Sequence, residues 1–519
     1  MNLGIHFDRA IRANSEQVAI LEDNTAITYK TLGEQANLFA ETLTGFGFSK
    51  GDRVALLMPN CIEAVVVDGG LMKTGVIKVP LNARTSPAEI NAMIVDSGAT
   101  MLVSHKLLTP YAQQCIEGLD TLKAVLVVGD GDIPNDWTHF NKFLSGKRQV
   151  VNAEIELDDI YSLNYTSGTS GVLKAAMLTH RNWLSLTRAY LYSSGLAPKV
   201  MRRNAYIAPI THAAGGAILA NLITGGTNLL LKQFDPAGLL QTIQDHKITD
   251  ILLVPTMINM MLAVPDIEKY DLSSLDTIVY GTAPMSPDRI QKAISIFGPV
   301  LSQGYGQTEC ASISMLSKTD HLAVNDPALT HRLLSAGRPS FECEVKILDD
   351  DGQEVPTGEI GEIVVRSDNV MKGYWNAPEL TKDTLKNGWL FTRDLGRLDE
   401  DGFLFLVDRK SDMIISGGFN IYPAEVEKTL DSHPAVLETA VVSFPDPKWG
   451  ESVKAVVVLN PGMSASEQDI ISHCKNILAH FKAPKSVDFV DALPKSPVGK
   501  TLRRVIKDKY WQGKDRKIN

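Results

Sequence analysis

Between residues 28 and 298 the chain keeps switching between two hydrophobic periods. Continuous apolar, β-branched runs read "RVALLMPN", "VIKVPLN", "ATMLVSH", "LKAVLVVGD", "IYSLNYTS", "ITDILLVPT" and "LDTIVYGTA". Helical patterns intervene, among them "TYKTLGEQANLFAETLTGFG", "SPAEINAMIVDSG", "DPAGLLQTIQDHK" and "SPDRIQKAISIFG". Several of these open on Ser, Thr or Asp in a cap position. A strand without polar alternation is covered on both faces, and a parallel neighbour needs a crossover that a helix supplies. The alternation therefore predicts an α/β chain whose parallel sheets are clothed by helices.

At 519 residues the chain exceeds one ordinary core, so more than one domain is expected. The texture changes after about residue 340. "ECEVKILDDDGQEVP" reads as a hairpin around Asp351-Gly352, and "GEIGEIVVRS" adds strands, which predicts a smaller antiparallel piece. Beyond Met413 brief strand and helix patterns return in "YPAEVEKTLDSH" and "ASEQDIISHCKNILAHF". A domain boundary is expected within "DRKSDM", at residues 409–412.

The charge balance, 51 Lys and Arg against 60 Asp and Glu, gives a net of −9 and no reason to expect nucleic acid or an anionic membrane as partner. Five scattered cysteines without a CxxC pair read as reduced thiols. The N-terminal residues show no basic start followed by an apolar core, and "DRKIN" is no peroxisomal address, so a cytoplasmic location is expected. Residues 204–231 carry no Asp, Glu, Lys or Arg, a length that would cross a bilayer. Pro209, Gly215-Gly216 and Gly225-Gly226 would interrupt such a helix, so the stretch is read as a buried strand, loop, helix and strand.

The stretch "YTSGTSGVLKAAMLTHRN" is rich in potential anion donors. Gly168 and Gly171 let the backbone bend and bring N–H groups close to a ligand. Thr166, Ser167, Thr169 and Ser170 supply hydroxyls and Lys174 a positive charge, a set that suits a polyphosphate. The spacing is not that of a Walker loop, and taken alone the segment is equally an ordinary turn between strand and helix. "QGYGQTE" combines Gly304 and Gly306 with Tyr305, Thr308 and Glu309: an aromatic able to stack on a base and a carboxylate able to hold Mg²⁺. "GWLFTRDLG" offers Asp394 to a ribose diol. "DRKSDMIISGGFNIYPAEVE" and "LPKSPVGKTLRR" follow in order.

In this order and at these separations the segments resemble the AMP-forming acyl-CoA synthetases of the adenylate-forming superfamily, from about Tyr29 to Arg504. The resemblance implies a large N-terminal AMP-binding domain, residues 1–409, of two helix-covered, mainly parallel sheets plus an antiparallel barrel-like part. It implies a small mobile α+β domain, residues 410–519. The activity implied is ATP-dependent activation of a carboxylic acid through an acyl-adenylate, with release of pyrophosphate and then AMP as coenzyme A takes the acyl group. By resemblance the loop from Thr166 to Gly171, with Lys174, embraces the phosphates. Tyr305, between Gly304 and Gly306, stacks on adenine beside Gly281, Thr282, Ala283 and Pro284. Thr308 touches the α-phosphate, Glu309 and Thr169 ligate Mg²⁺, and Asp394 with Arg409 takes the ribose. Lys500 reaches the carboxylate and α-phosphate, and His212 lies near the acyl carboxylate. Gly417, Gly418 and Phe419 line the pantetheine tunnel, while Trp449, Phe481 and Lys485 match positions that meet the coenzyme A nucleotide in some relatives.

The chain departs from the family at Leu173 (usually Pro), Ala175 (usually Gly), Arg393 (usually Gly) and Ser411 (usually Asp or Lys). No acidic residue stands near "THAAGG", which disfavours amino acids; a fatty, alicyclic or aromatic acid is expected. The expected walls of its pocket, among them Gly215, Gly216, Gly304 and Cys310, are apolar or small. A ligase that loads a carrier-protein thiol and a non-catalytic nucleotide-binding relative remain as alternatives. A monomer or homodimer is expected, with "PKSPVGK" resembling a segment that protein lysine acetyltransferases modify at the position of Lys500.

Overall fold

The computed structural model describes residues 1–166, 173–194, 201–211, 213–283, 285–410, 412–416, 419–446, 448–495 and 501–512. Among these, 1–166, 173–345 and 365–390 form one compact unit, and 346–364 with 391–512 a second.

The first unit holds two large sheets. One has seven strands in the spatial order Thr138–His139, Ala124–Val128, Met101–His105, Arg53–Leu57, Ile77–Pro80, Ile160–Thr166 and Lys174–Thr179. All neighbours are parallel except the last pair. The other has nine strands, ordered Arg338–Pro339, Cys310–Leu316, Leu301–Gln307, Thr277–Gly281, Asp250–Leu253, Arg203–Tyr206, Thr227–Leu230, Val18–Glu22 and Thr25–Thr28. It is parallel through its middle and antiparallel at both ends.

The apolar runs become strands because each is buried on both faces. Leu56, Val103 and Leu126 face a core shared with Ile20, Tyr206 and Leu230 of the nine-stranded sheet and with Phe7, Phe39 and Ile218 on helices. Their neighbours Leu57, Leu102 and Val127 enter a separate outer core with Ile90 and Ile94. Helix Ile62–Thr74 is apolar nearly all round because it is packed on nearly all sides. Helix Pro87–Ser97 shows the expected punctuation: Ser86 and Glu89 form a capping box, Pro87 opens the first turn, and Gly98 (φ 63°) closes it.

The uncharged stretch resolves into strand Arg203–Tyr206, helix Gly216–Ile223 and strand Thr227–Leu230, as read from its glycine pairs. No helix among the described residues is long and apolar enough to cross a membrane. Gly215 and Gly216 serve close packing: a Cβ would lie 2.1 Å from Ile210 O at the first and 2.6 Å from Leu186 at the second.

The antiparallel piece is present as a five-stranded sheet of Glu344–Leu348, Gly361–Arg366, Leu385–Lys386, Trp389–Leu398 and Leu404–Arg409. Its first strand leads into the expected turn, where Gly352 has φ 77° and Leu348 bridges Glu354. In the second unit a further five-stranded sheet is built around Gly450–Leu459 and Val436–Asp446. Helices Pro423–Asp431 and Glu467–Ile477 pack on one face through Val426, Leu430, Ile470 and Ile471. Helix Arg503–Trp511 packs on the other through Ile506. That is the α+β part expected from the texture after Met413.

Candidate active site

Strand order reverses at Arg203–Tyr206: the chain passes to Thr227–Leu230 on one side and returns to Asp250–Leu253 on the other. A crevice beyond the carboxyl ends of such strands is where open α/β sheets take ligands. Asn60, which sequence reasoning passed over, fixes the chain there. Its Nδ2 lies 3.1 Å from the carbonyl oxygens of Tyr206, Ala208 and Leu231, and its Oδ1 accepts from Ile210 N at 2.9 Å.

At the far end of the sheet, Leu301–Gln307 and Cys310–Leu316 form a hairpin whose turn carries Thr308 and Glu309. Gly306 is required there, since a Cβ would come 2.3 Å from Ala311 O. Glu309 is buried. The Tyr374 hydroxyl donates to its Oε1 at 2.5 Å, and Lys174 Nζ lies 3.7 Å from the same oxygen. Lys174 also donates to the Tyr374 hydroxyl at 3.3 Å and stands 4.9 Å above its ring. Carboxylate, ammonium and phenol thus converge from three distant parts of the chain.

The segment around Tyr374 is what joins them. Met371 N donates to Glu309 O and Ala311 N to Asn369 Oδ1. Met177 N donates to Gly373 O, Lys372 N to Met177 O, and Trp375 N to Ala175 O. This stretch therefore ties the edge of the seven-stranded sheet to the hairpin of the nine-stranded one. Sequence reasoning missed Tyr374 because the segment has no hydrophobic period.

Thr166 and Lys174 face each other in antiparallel register. The loop between them thus leads into a strand and not into a helix. Residues 175–179 extend the sheet because both their edges find backbone partners. Thr166 Oγ1 is buried without a hydrogen-bond partner, an orphaned donor beside Lys174 at the mouth of that loop. Leu173 and Ala175 pack into the outer core.

Gly281 and Gly304 sit side by side on parallel strands so closely that a Cβ at Gly281 would meet Gly304 O at 2.5 Å. A Cβ at Gly304 would meet nothing within 4 Å, so open space lies beside it. Thr282, directly after the strand end, has φ 69°, a rare conformation for a β-branched residue. Tyr305 is half-buried on the adjoining strand. Beneath, the Tyr280 hydroxyl contacts His321 Nε2 at 2.9 Å, and burial lowers His321 from 6.5 to about 4.

The second unit brings Asp394 and Arg409 together: they are cross-strand partners, with Nε 3.3 Å from Oδ1. Arg393 has φ 61°, the left-handed region, at a position where a glycine would carry no strain. Asp408 is raised to about 6 by burial, against the pull of Arg503. Its oxygens accept from Arg409 N and Ala424 N at 2.7 and 2.8 Å. Phe419 and Phe481 pack ring to ring at 4.9 Å yet are 58% and 40% exposed, and Trp449 is 45% exposed, so these aromatics are not core packing. Ser167, Gly168, Thr169, Ser170, Gly171, His212, Pro284, Gly417, Gly418 and Lys500 lie outside the described residues, as does Ser411.

Two family models match the chain: "AMP-binding enzyme" over residues 7–375 and "AMP-binding enzyme C-terminal domain" over 425–500. The chain is 37% identical to a feruloyl-CoA synthase of Amycolatopsis sp, over 97% of this chain and 98% of that protein. It is 33% identical to the medium/long-chain-fatty-acid–CoA ligase FadD8 of Mycobacterium tuberculosis, over 98% of this chain and 90% of that protein. Its fold matches the o-succinylbenzoate CoA synthetase MenE of Bacillus subtilis in complex with the acyl-adenylate intermediate OSB-AMP, with TM-score 0.84 and 30% identity over 97% and 98% of the two chains. It also matches the amide bond synthetase McbA of Marinactinospora thermotolerans, with TM-score 0.88 and 30% identity over 98% and 100%. With both family models matched in chain order and CoA ligases similar over nearly its full length, the chain belongs to the AMP-binding enzyme family of adenylate-forming enzymes.

Proposed function

We propose that the chain is a cytoplasmic acid–thiol ligase that converts a fatty, alicyclic or aromatic carboxylic acid to its acyl-CoA through an acyl-adenylate. The observation that carries this reading is the convergence of Lys174, Glu309 and Tyr374 in a chain whose full-length relatives are CoA ligases. A carboxylate is a poor electrophile. Attack of its oxygen on the α-phosphorus of ATP expels pyrophosphate and leaves a mixed anhydride. The thiolate of coenzyme A then attacks the acyl carbon and AMP departs.

Phosphoryl transfer asks the protein mainly for positioning and charge neutralisation. Thr166, with the loop that follows it and Lys174, holds the β- and γ-phosphates; the unpartnered Thr166 hydroxyl fits that task. Among the described residues no group of three or more His, Cys, Asp or Glu could hold a metal. A lone carboxylate fits Mg²⁺, which is commonly bound by one or two carboxylates together with substrate phosphates. Glu309, with Thr169, would hold that ion, which when bound neutralises charge on the phosphates. Tyr374 orients the Glu309 carboxylate. Tyr305, beside the 281–284 strand end, stacks on adenine, Thr308 meets the α-phosphate, and Asp394 with Arg409 takes the ribose hydroxyls. Residues 1–409 act as the nucleotide-binding domain. Residues 410–519 turn about the segment at Ser411, delivering first Lys500 for adenylation and then the 416–423 segment for thiolysis. Exposed Phe419, Phe481 and Trp449 suit contact with coenzyme A. Acetylation of Lys500 would remove its charge and silence adenylation.

Pyrophosphate release over a panel of carboxylic acids tests the reading, with free coenzyme A or a holo-carrier protein as acceptor. Acid-dependent release together with acyl-CoA formation is expected. Release with carrier protein alone would replace the acceptor, and no release with any acid would refute catalysis.

A further inference from the structure

All five cysteines are free thiols, and two of them meet. Cys310 opens the strand Cys310–Leu316, directly after Glu309, and is fully buried. Cys343 stands just before the strand Glu344–Leu348 and is half-buried. Backbone bonds bring the two segments together. Ser314 pairs with Pro339 and Met315 with Arg338, Ser340 N donates to Ile313 O at 2.8 Å, and Cys343 N donates to Ser340 O at 2.8 Å. The Cys343 thiol donates to Ser312 O at 3.0 Å, and the Cys310 S–H donates to the Cys343 sulfur.

The two thiols differ in what can reach them. Cys343 is partly exposed, and the bond from Cys310 holds its thiol below the ordinary range, which favours the thiolate that reacts with oxidants. Cys310 is closed to solvent but lies against that sulfur, where a resolving thiol must stand. Cys310 is also tied to the Lys174–Glu309–Tyr374 cluster. Its neighbour Glu309 accepts from Met371 N through its backbone oxygen, its neighbour Ala311 donates to Asn369, and Cys310 itself bridges Val370 between them. A pull on Cys310 is therefore felt at the Glu309 carboxylate, which Tyr374 and Lys174 hold.

We propose that a hydroperoxide joins Cys310 and Cys343 in a reversible disulfide, and that this bond suppresses adenylation. The Cys343 thiolate attacks one peroxide oxygen, the O–O bond breaks, and a sulfenic acid forms as hydroxide leaves and takes up the thiol's released proton. The Cys310 sulfur then attacks the Cys343 sulfur, the S–O bond breaks, and a second water departs with the Cys310 proton. Two thiols have lost two electrons, and hydrogen peroxide has become two waters. A dithiol reverses the step by exchange. The disulfide closes its sulfurs to about 2.05 Å, well inside the separation of two hydrogen-bonded thiols, so the backbone around Cys310 must shift. A misplacement of about 1 Å at a reaction centre costs on the order of 10² in rate. The loss of adenylation rests on the acid–thiol ligase reading; the cross-link does not.

The test treats the full chain with excess hydrogen peroxide and reads two quantities: a peptide map under non-reducing conditions, and acid-dependent pyrophosphate exchange before peroxide, after it, and after dithiothreitol. The map should show Cys310 linked to Cys343. Exchange should fall by about tenfold or more and return with dithiothreitol. Cys343→Ser, which keeps a donor for Ser312 O, should match the wild-type enzyme before peroxide and keep its activity afterwards. A map without the 310–343 link, a link with exchange unchanged, or equal loss of activity in Cys343→Ser overturns the proposal. The wild-type map and its dithiothreitol reversal decide even where the variant does not fold. Absence of exchange before peroxide with every acid would instead bring down the ligase reading, and the map would still decide the cross-link.

Discussion

Removing one hydroxyl tests the site most sharply. Tyr374→Phe keeps the buried ring and its stacking under Lys174 and deletes the hydroxyl that donates to Glu309 at 2.5 Å and accepts from Lys174 at 3.3 Å. Glu309 is then left buried with Lys174 3.7 Å away as its remaining described partner. A hydrogen bond to a charged group contributes about 1.5–3 kcal/mol, so if Glu309 has the proposed role toward Mg²⁺ and phosphate, adenylation should fall by about 10- to 150-fold. The half-reactions should be assayed apart: pyrophosphate exchange at varied Mg²⁺, and thiolysis of supplied acyl-adenylate. Adenylation should fall with a raised Mg²⁺ requirement while thiolysis stays near wild type. Adenylation within twofold of wild type would refute the positioning role, and equal loss of both half-reactions would reduce Tyr374 to a packing residue.

Three further outcomes are expected. Lys500→Ala should lower acyl-adenylate formation by about 10²–10³ and leave thiolysis of supplied acyl-adenylate intact; retention of more than about a tenth of the adenylation rate would remove Lys500 from the chemistry. Arg393→Gly should stabilise the fold by about 0.5–1 kcal/mol in urea unfolding, because a left-handed φ of 61° costs an L-residue about 1–2 kcal/mol and glycine gives part of that back in chain entropy; a neutral or destabilised variant refutes the strain. Burial lowers His321 from 6.5 to about 4, so as pH falls through that window the unfolded chain takes a proton that the folded chain refuses, and stability is lost. The loss is worth roughly 3 kcal/mol at most, and His321→Gln should flatten the slope between pH 6.5 and 4; an unchanged slope in chemical denaturation would show that His321 is not its source.

The parallel strands were legible because their burial on both faces leaves no polar alternation. Leu56 and Leu57 enter different cores, so "RVALLMPN" reads as one apolar run. The uncharged 204–231 stretch was legible through its paired glycines. The Lys174–Glu309–Tyr374 cluster was legible only in halves. Lys174 and Glu309 stood out in motifs, but Tyr374 lies 65 and 200 residues from its two partners in a segment that follows neighbouring backbones and has no rhythm of its own. Asn60 is invisible for a similar reason, since its four contacts are to backbone atoms far along the chain. Arg393 could be seen to stand at a usual glycine position, yet its left-handed backbone is set by the hairpin geometry, which no single residue type reveals.

The edge of the nine-stranded sheet has a consequence for how the protein is made. Val18–Glu22 pairs with Thr227–Leu230, Ile20 opposite Asn228, so the first hairpin to leave the ribosome has no sheet to join until about 200 residues later. At about 5–20 residues per second that is a wait of roughly 10–40 s. During it an apolar strand, "VAILE", and the apolar face of helix Leu3–Ala13 stand without their final cover. Until residues 227–230 have emerged from the ribosome, that strand and helix face are therefore open to chaperones, and once they have emerged the strand can pair.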